Sequence, residues 1–228
     1  MKPWLKEQWC IPKKASAEFV CAMEDVLSVY TRPYDPARPQ VCMDEMSKQL
    51  VGEVRAPLPP TPGQPARHDH EYVRNGTANL FMLFEPLTGQ SQVQVTERRT
   101  KLDFAHLMKK LVDEIYPLAM VIVLVLDNLN THVKASLYEA FPPEEAKRIA
   151  DKLEIHYTPK HGSWLNLAEC LFSILQRQCL DRRLPDRGTL RKEVEAWQRR
   201  RDQDLTPVNW RFTTEDARIK LRSLYPSI

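Results

Sequence analysis

The sequence predicts a mixed α/β protein in which helices pack on one sheet. Three observations carry that expectation. Met120–Leu126 is a continuous apolar, β-branched run, as in a strand buried on both faces. Leu80–Phe84 and Val93–Val95 are strand-like and are joined through Pro86–Gln90, a turn containing Gly89. After Lys101, helical and strand-like segments alternate, the order of a layered α/β domain.

Each element has its own signal. Ser16–Val29 reads as a helix, with Ser16 as cap and Phe19, Met23, Val26 and Leu27 at helical spacing. Two Pro-rich stretches, Thr31–Pro39 and Pro57–Pro65, flank Val41–Val54 and must be extended or turning, because proline fixes φ and lacks a donor. Lys101–Ile115 is an amphipathic helix through Leu102, Ala105, Leu107, Met108, Leu111, Val112 and Ile115. Helices are expected at Val133–Ala140 and Pro143–Leu153, a short strand at Glu154–Tyr157, and helices at Leu165–Leu180 and Thr189–Arg201. This divides the chain into an arm over 1–39, a main domain over 40–205 and a tail over 206–228.

Composition excludes several classes. Of 228 residues, 43% are hydrophobic and 28% charged, which is ordinary for a globular chain able to bury a core unaided. The balance of 33 Lys and Arg against 30 Asp and Glu leaves only +3, so no charged tail dominates. The longest apolar run, Ala119–Leu126, is far short of the ~20 residues of a membrane span, and the N-terminus lacks a signal-peptide core. Five scattered cysteines with no CxxC pair read as free thiols of a cytoplasmic protein. No GxGxxG or GxxxxGK[ST] motif supports a nucleotide fold.

Three acids stand out by position. Asp44 ends the apolar run Val41–Met43, Asp127 follows the buried strand, and Glu169 lies in a helix on the face of Leu165 and Phe172. A carboxylate at the carboxyl end of a central strand is where open α/β sheets place ligands. Acids gathered there repel unless a cation compensates, and all-oxygen ligation selects Mg²⁺ or Mn²⁺. The plainer reading is capping: Asp127 could cap the helix that follows through Asn128–Asn130. Spacing alone does not show convergence. Glu45 is the rival of Asp44, but successive strand residues face opposite ways, so one of the two faces the site.

The surrounding motifs add a resemblance. Val125-Leu126-Asp127-Asn128-Leu129-Asn130-Thr131-His132, Tyr157 through Glu169 with Pro159-Lys160-His161-Gly162-Ser163-Trp164, and Cys42-Met43-Asp44-Glu45 with Lys48-Gln49-Leu50 resemble, in order, the second-, third- and first-acid motifs of bacterial insertion-sequence transposases related to mariner elements. Arg74–Leu80 and Thr96–Thr100 are similar to further segments of that family, so the likeness runs from about Lys2 beyond Arg183. It implies a ribonuclease-H-like mixed sheet flanked by helices and an Asp-Asp-Glu triad, Asp44, Asp127 and Glu169, holding two Mg²⁺ (or Mn²⁺) ions. The implied activity is phosphodiester hydrolysis and strand transfer on double-stranded DNA, at terminal inverted repeats and target, by a homodimer. Family members begin with a helix-turn-helix region, and this chain starts downstream of it, as a catalytic fragment, a second reading frame or a decayed copy. Leu171 stands where relatives often carry another acid, leaving Glu169 as the third carboxylate of that helix. The alternatives are a stand-alone nuclease of the same fold and a remnant that binds DNA or oligomerises without turnover.

Further residues have two readings each. His132 and Asn128 orient a phosphate or a metal-bound water, or cap the following helix, and Asn166, one turn before Glu169, bonds a phosphate or caps its helix. Trp164 stacks on a base or sits in the core. Gln176–Asp204 carries nine Arg or Lys against six acids, so Arg182 and Arg183 with Arg191 and Arg199–Arg201 form a phosphate-tracking surface or a solvated face. His68-Asp69-His70 has no Cys partner at finger spacing and makes a weak zinc site, and His156, His161 and Cys170 are no better.

Overall fold

A computed structural model describes residues 12, 14–67 and 69–226; His68 lies outside the described residues. Five strands form one sheet: β1 (Gln40–Glu53), β2 (Tyr72–Glu85), β3 (Gln90–Thr96), β4 (Ile122–Leu126) and β5 (Leu153–Tyr157). Their spatial order is β3-β2-β1-β4-β5. The first three pair antiparallel as a meander, whereas β4 runs parallel to β1 and β5 parallel to β4. The expected mixed sheet flanked by helices is therefore present.

Strand alternation sends side chains into two cores. Cys42, Met82, Phe84, Val123 and Val125 face α1 (Ala17–Tyr30), α5 (Leu167–Leu175) and α6 (Arg187–Gln203). Val41, Met43, Phe81, Leu83 and Leu124 face α2 (Lys101–Lys110), α3 (Ala135–Ala140) and α4 (Pro143–Asp151). Every residue of β4 is buried, which explains its unbroken apolar run. Ser16 caps α1 as anticipated, its hydroxyl accepting from the Phe19 N–H at 3.2 Å.

Several elements differ from their sequence signals. The helix expected over Lys101–Ile115 turns π-helical at Leu111–Ile115, and that expected over Leu165–Leu180 does so at Gln176–Leu180. Each keeps its apolar face but gains a wider last turn. No element was expected after Arg201, yet α7 (Thr214–Lys220) forms behind a reciprocal Thr213–Asp216 capping box. Arg218 grips Glu24 of α1 through two hydrogen bonds of 2.8 and 2.7 Å, and the Tyr225 hydroxyl donates to the same carboxylate. The two ends of the described chain thus share one core, with Ala217 and Leu224 buried beside α1 residues.

The β2–β3 turn depends on Gly89. Its φ is +79°, and a Cβ there would stand 2.6 Å from the backbone of Thr206, whose neighbour Val208 donates to the Pro86 carbonyl. Gly89→Ala should therefore destabilise the fold by about 3 kcal/mol, combining left-handed strain with overpacking. At Gly76, φ +93° with open space around the added methyl, the cost should be near 1 kcal/mol. Urea unfolding of the two variants checks the difference.

Candidate active site

Asp44 lies within β1 rather than at its end, because β1 and β2 continue past it as a two-stranded ribbon. What ends near Asp44 is the pairing with β4, whose last described partners are Cys42 and Val125. Continuing that register by two residues sets Asp44 beside Asp127. Both then project to the face covered by α5, where Glu169 occupies the first turn. Asp44, Asp127 and Glu169 line one cleft of about 590 Å³, together with Glu45, Met46, Asn166, Phe172, Gln176 and Arg177.

Asn166 locks this geometry. Its side-chain oxygen accepts from the Ala168 N–H at 3.1 Å, capping α5, and its amide donates to the Met43 carbonyl at 2.9 Å. One buried side chain thus ties the helix bearing Glu169 to the strand residue preceding Asp44. Of its two readings, the structure places Asn166 as the cap of α5.

The electrostatics follow from the crowding. Burial pushes the Asp44 carboxyl up to about 7; the Glu45 N–H bound to its Oδ1 opposes the shift, and the charges of Asp127 and Glu169 add to it. The donor set is all carboxylate oxygen and open to solvent at Glu169, which fits a hard divalent ion. Among the described residues no three His, Cys, Asp or Glu side chains close on a single point.

Behind the cleft, His132 is fully buried and each ring nitrogen faces a carboxylate. Nδ1 stands 2.5 Å from Asp127 Oδ1 and Nε2 3.4 Å from Glu45 Oε2, while Arg99 reaches Glu45 Oε1 at 3.2 Å. Burial disfavours the charged ring, but the bonds to Asp127 and Glu45 outweigh it and raise His132 to about 9. With no ring nitrogen left for a phosphate, the reading of His132 as a DNA contact is corrected. Glu45 borders the same cleft as Asp44 while its carboxylate turns to His132, which packs on Phe104 of α2. The sequence held one signal of this pairing, strand alternation at Asp44-Glu45, but not its long-range partner.

Other candidates disperse. Trp164 packs edge-to-face on Phe212 at 6.1 Å within the α1–α5 core. Arg183 is bound to Glu53 and to the Asp69 and Glu71 carbonyls, and Arg182 to Glu193 and the Cys179 carbonyl, so both brace the fold. Asn128 is exposed at the mouth of the loop after Asp127. His156 pairs with Asp25 and Glu154.

Residues 39–191 match the family described as DDE superfamily endonuclease, two-thirds of the chain and the whole span of the three acids. The chain belongs to that family. No curated protein matches in sequence. Among solved structures, the chain is similar to the Mos1 transposase paired-end complex with left transposon end (TM-score 0.56, 16% identity, 85% of this chain and 58% of that one) and to the Mos1 strand transfer complex (0.58, 15%, 88% and 59%). The mariner Mos1 paired-end complex with Mg is similar as well (0.57, 15%, 97% and 67%). At such identities the likeness is one of fold, and it gives this DDE chain the ribonuclease-H-like architecture of those catalytic domains. The chain spans about three-fifths of the length of the first two. Among the described residues no helix is long and apolar enough to cross a membrane.

Proposed function

We propose that this DDE-family chain is the catalytic domain of a DNA transposase, cleaving phosphodiesters at element ends and joining them to target DNA with divalent metal. The observation that carries the reading is the common cleft of Asp44, Asp127 and Glu169, held by β1, the end of β4 and α5. Those three carboxylates are the groups that would hold two Mg²⁺ or Mn²⁺ ions. The ions supply Lewis acidity at the scissile phosphate and stabilise the attacking and leaving oxygens.

The chain's own residues do the rest. The Asn166 bridge fixes the separation of the Glu169 helix from Asp44. Phe172 and Met46 give the cleft an apolar wall, and Arg177 on its rim meets a DNA phosphate. Asn128 and the exposed Arg191, Lys192 and Arg200 extend the phosphate-binding surface. Synapsis of two ends calls for two copies of the chain on DNA, as the sequence resemblance implies.

Supercoiled plasmid tests the chemistry: purified protein should nick it with Mg²⁺ or Mn²⁺ and not with EDTA. Nicking with EDTA present would overturn the reading. Binding should be mostly to phosphates. Affinity for a random 30-base-pair duplex should therefore fall by about 10³-fold between 50 and 200 mM salt if some six phosphates are contacted. A shallow salt slope in fluorescence-anisotropy titrations would remove Arg177 and the α6 arginines from the interface.

A further inference from the structure

We propose that Glu45 and His132 form a positioning pair that holds Asp127 in its metal-binding orientation, an inference that rests on the metal reading of the cleft. Asp127 follows the last residue of β4, so no strand pairing restrains its side chain. Restraint comes from His132, whose Nδ1 donates to Asp127 Oδ1 at 2.5 Å and leaves Oδ2 for a metal.

The ring itself cannot swing. Its side chain is fully buried, it lies 5.1 Å from the Phe104 ring, its backbone carbonyl accepts from the Tyr157 hydroxyl at 2.8 Å, and its far nitrogen faces Glu45. Glu45 is only 5% exposed in its side chain and is anchored in turn by Arg99. The line Arg99–Glu45–His132–Asp127 therefore crosses from the edge of α2 to the cleft, joining the residue after the first acid to the residue five after the second. Groups behind a ligand in this way fix its orientation, and losing them typically weakens metal binding 10–100-fold. His132 is fully buried behind the cleft, and Glu45, which borders it, turns its carboxylate to His132 and Arg99. Glu45 and His132 act through Asp127.

The test measures Mn²⁺ affinity of the full chain by electron paramagnetic resonance of the free ion, with melting curves as the folding control. His132→Ala should weaken Mn²⁺ binding about 10-fold, whereas His132→Asn, whose amide can still donate toward Asp127, should recover most of it. Glu45→Ala should also weaken binding, and adding it to His132→Ala should cost little more, because both act through one route. Should His132→Ala fail to fold, Glu45→Ala and His132→Asn still decide. Wild-type Mn²⁺ affinity in His132→Ala or Glu45→Ala, or additive losses in the double variant, would overturn the pair while Asp127→Asn still abolishes binding. Unchanged binding in Asp127→Asn would remove Asp127 as a ligand, and both the metal reading and the pair would fall.

Discussion

Asp127→Ala protein should lose divalent-dependent DNA cleavage by about 10³-fold or more, since one lost ligand removes several kcal/mol of transition-state stabilisation. Folding should survive the change, because the Asp127 side chain is one-third exposed and stands beyond the strand core. Its removal relieves repulsion with Asp44 and costs buried His132 one partner, two effects of opposite sign. Glu169→Ala should give the same loss, as the same cleft demands. The measurement is plasmid nicking with Mg²⁺ and with Mn²⁺, beside circular-dichroism melts. Full nicking by either variant in its folded form would contradict the triad.

The second large effect is on stability without metal. The Asp44 carboxyl is held up at about 7, above its ordinary 3.8, so the fold prefers it protonated. Stability from this group is complete below pH 4 and is lost as pH rises toward 7. His132, raised to about 9, contributes stability that is complete below about 6.5 and is lost as pH rises through 9. Both trends have the same sign: the metal-free protein should weaken steadily from pH 5 to 9. Asp44→Asn should abolish the lower part of that decline and stabilise the protein at pH 7.5 by about 2 kcal/mol, discounted from the ~1.4 kcal/mol per unit of a fully buried group. Mg²⁺ should stabilise the wild type at pH 7.5 and leave Asp44→Asn nearly unmoved. Urea melts at pH 5, 7 and 9 check both trends, and a flat pH profile would show that Asp44 is not desolvated as described.

The effects differ in kind. Asp127→Ala should cost cleavage, whereas Asp44→Asn should cost cleavage and raise the stability of the metal-free protein. An opposition between stability and activity is the expected signature of the proposed cation site, whose acids repel one another.

The sequence alone determined the elements whose side chains alternate between two environments or avoid water throughout. β4 was legible from the apolar run because Ile122–Leu126 is buried on both faces, although Met120, counted into the run, is exposed and precedes the strand; α2 was legible from its apolar stripe. The first half of β2 was not legible: Tyr72–Thr77 is exposed on both faces, so no alternation marks it, and it is held in the ribbon by pairing with β1 and by Asn75 and Tyr72 reaching Pro185 and Arg183. That ribbon is also why Asp44 lies mid-strand. The three acids stood out by position and motif, yet nothing local says that they meet. Tertiary structure decided that: the parallel register of β1 and β4 sets Asp44 beside Asp127, and the Asn166 bridge brings Glu169 over them. It also decided that His132 and Asn166, polar and near the acids in sequence, face inward to position carboxylates and a helix. Burial and hydrogen-bond partners 87 and 123 residues away are not properties of a short motif. They exist only once strands distant in sequence pair and helices cover them.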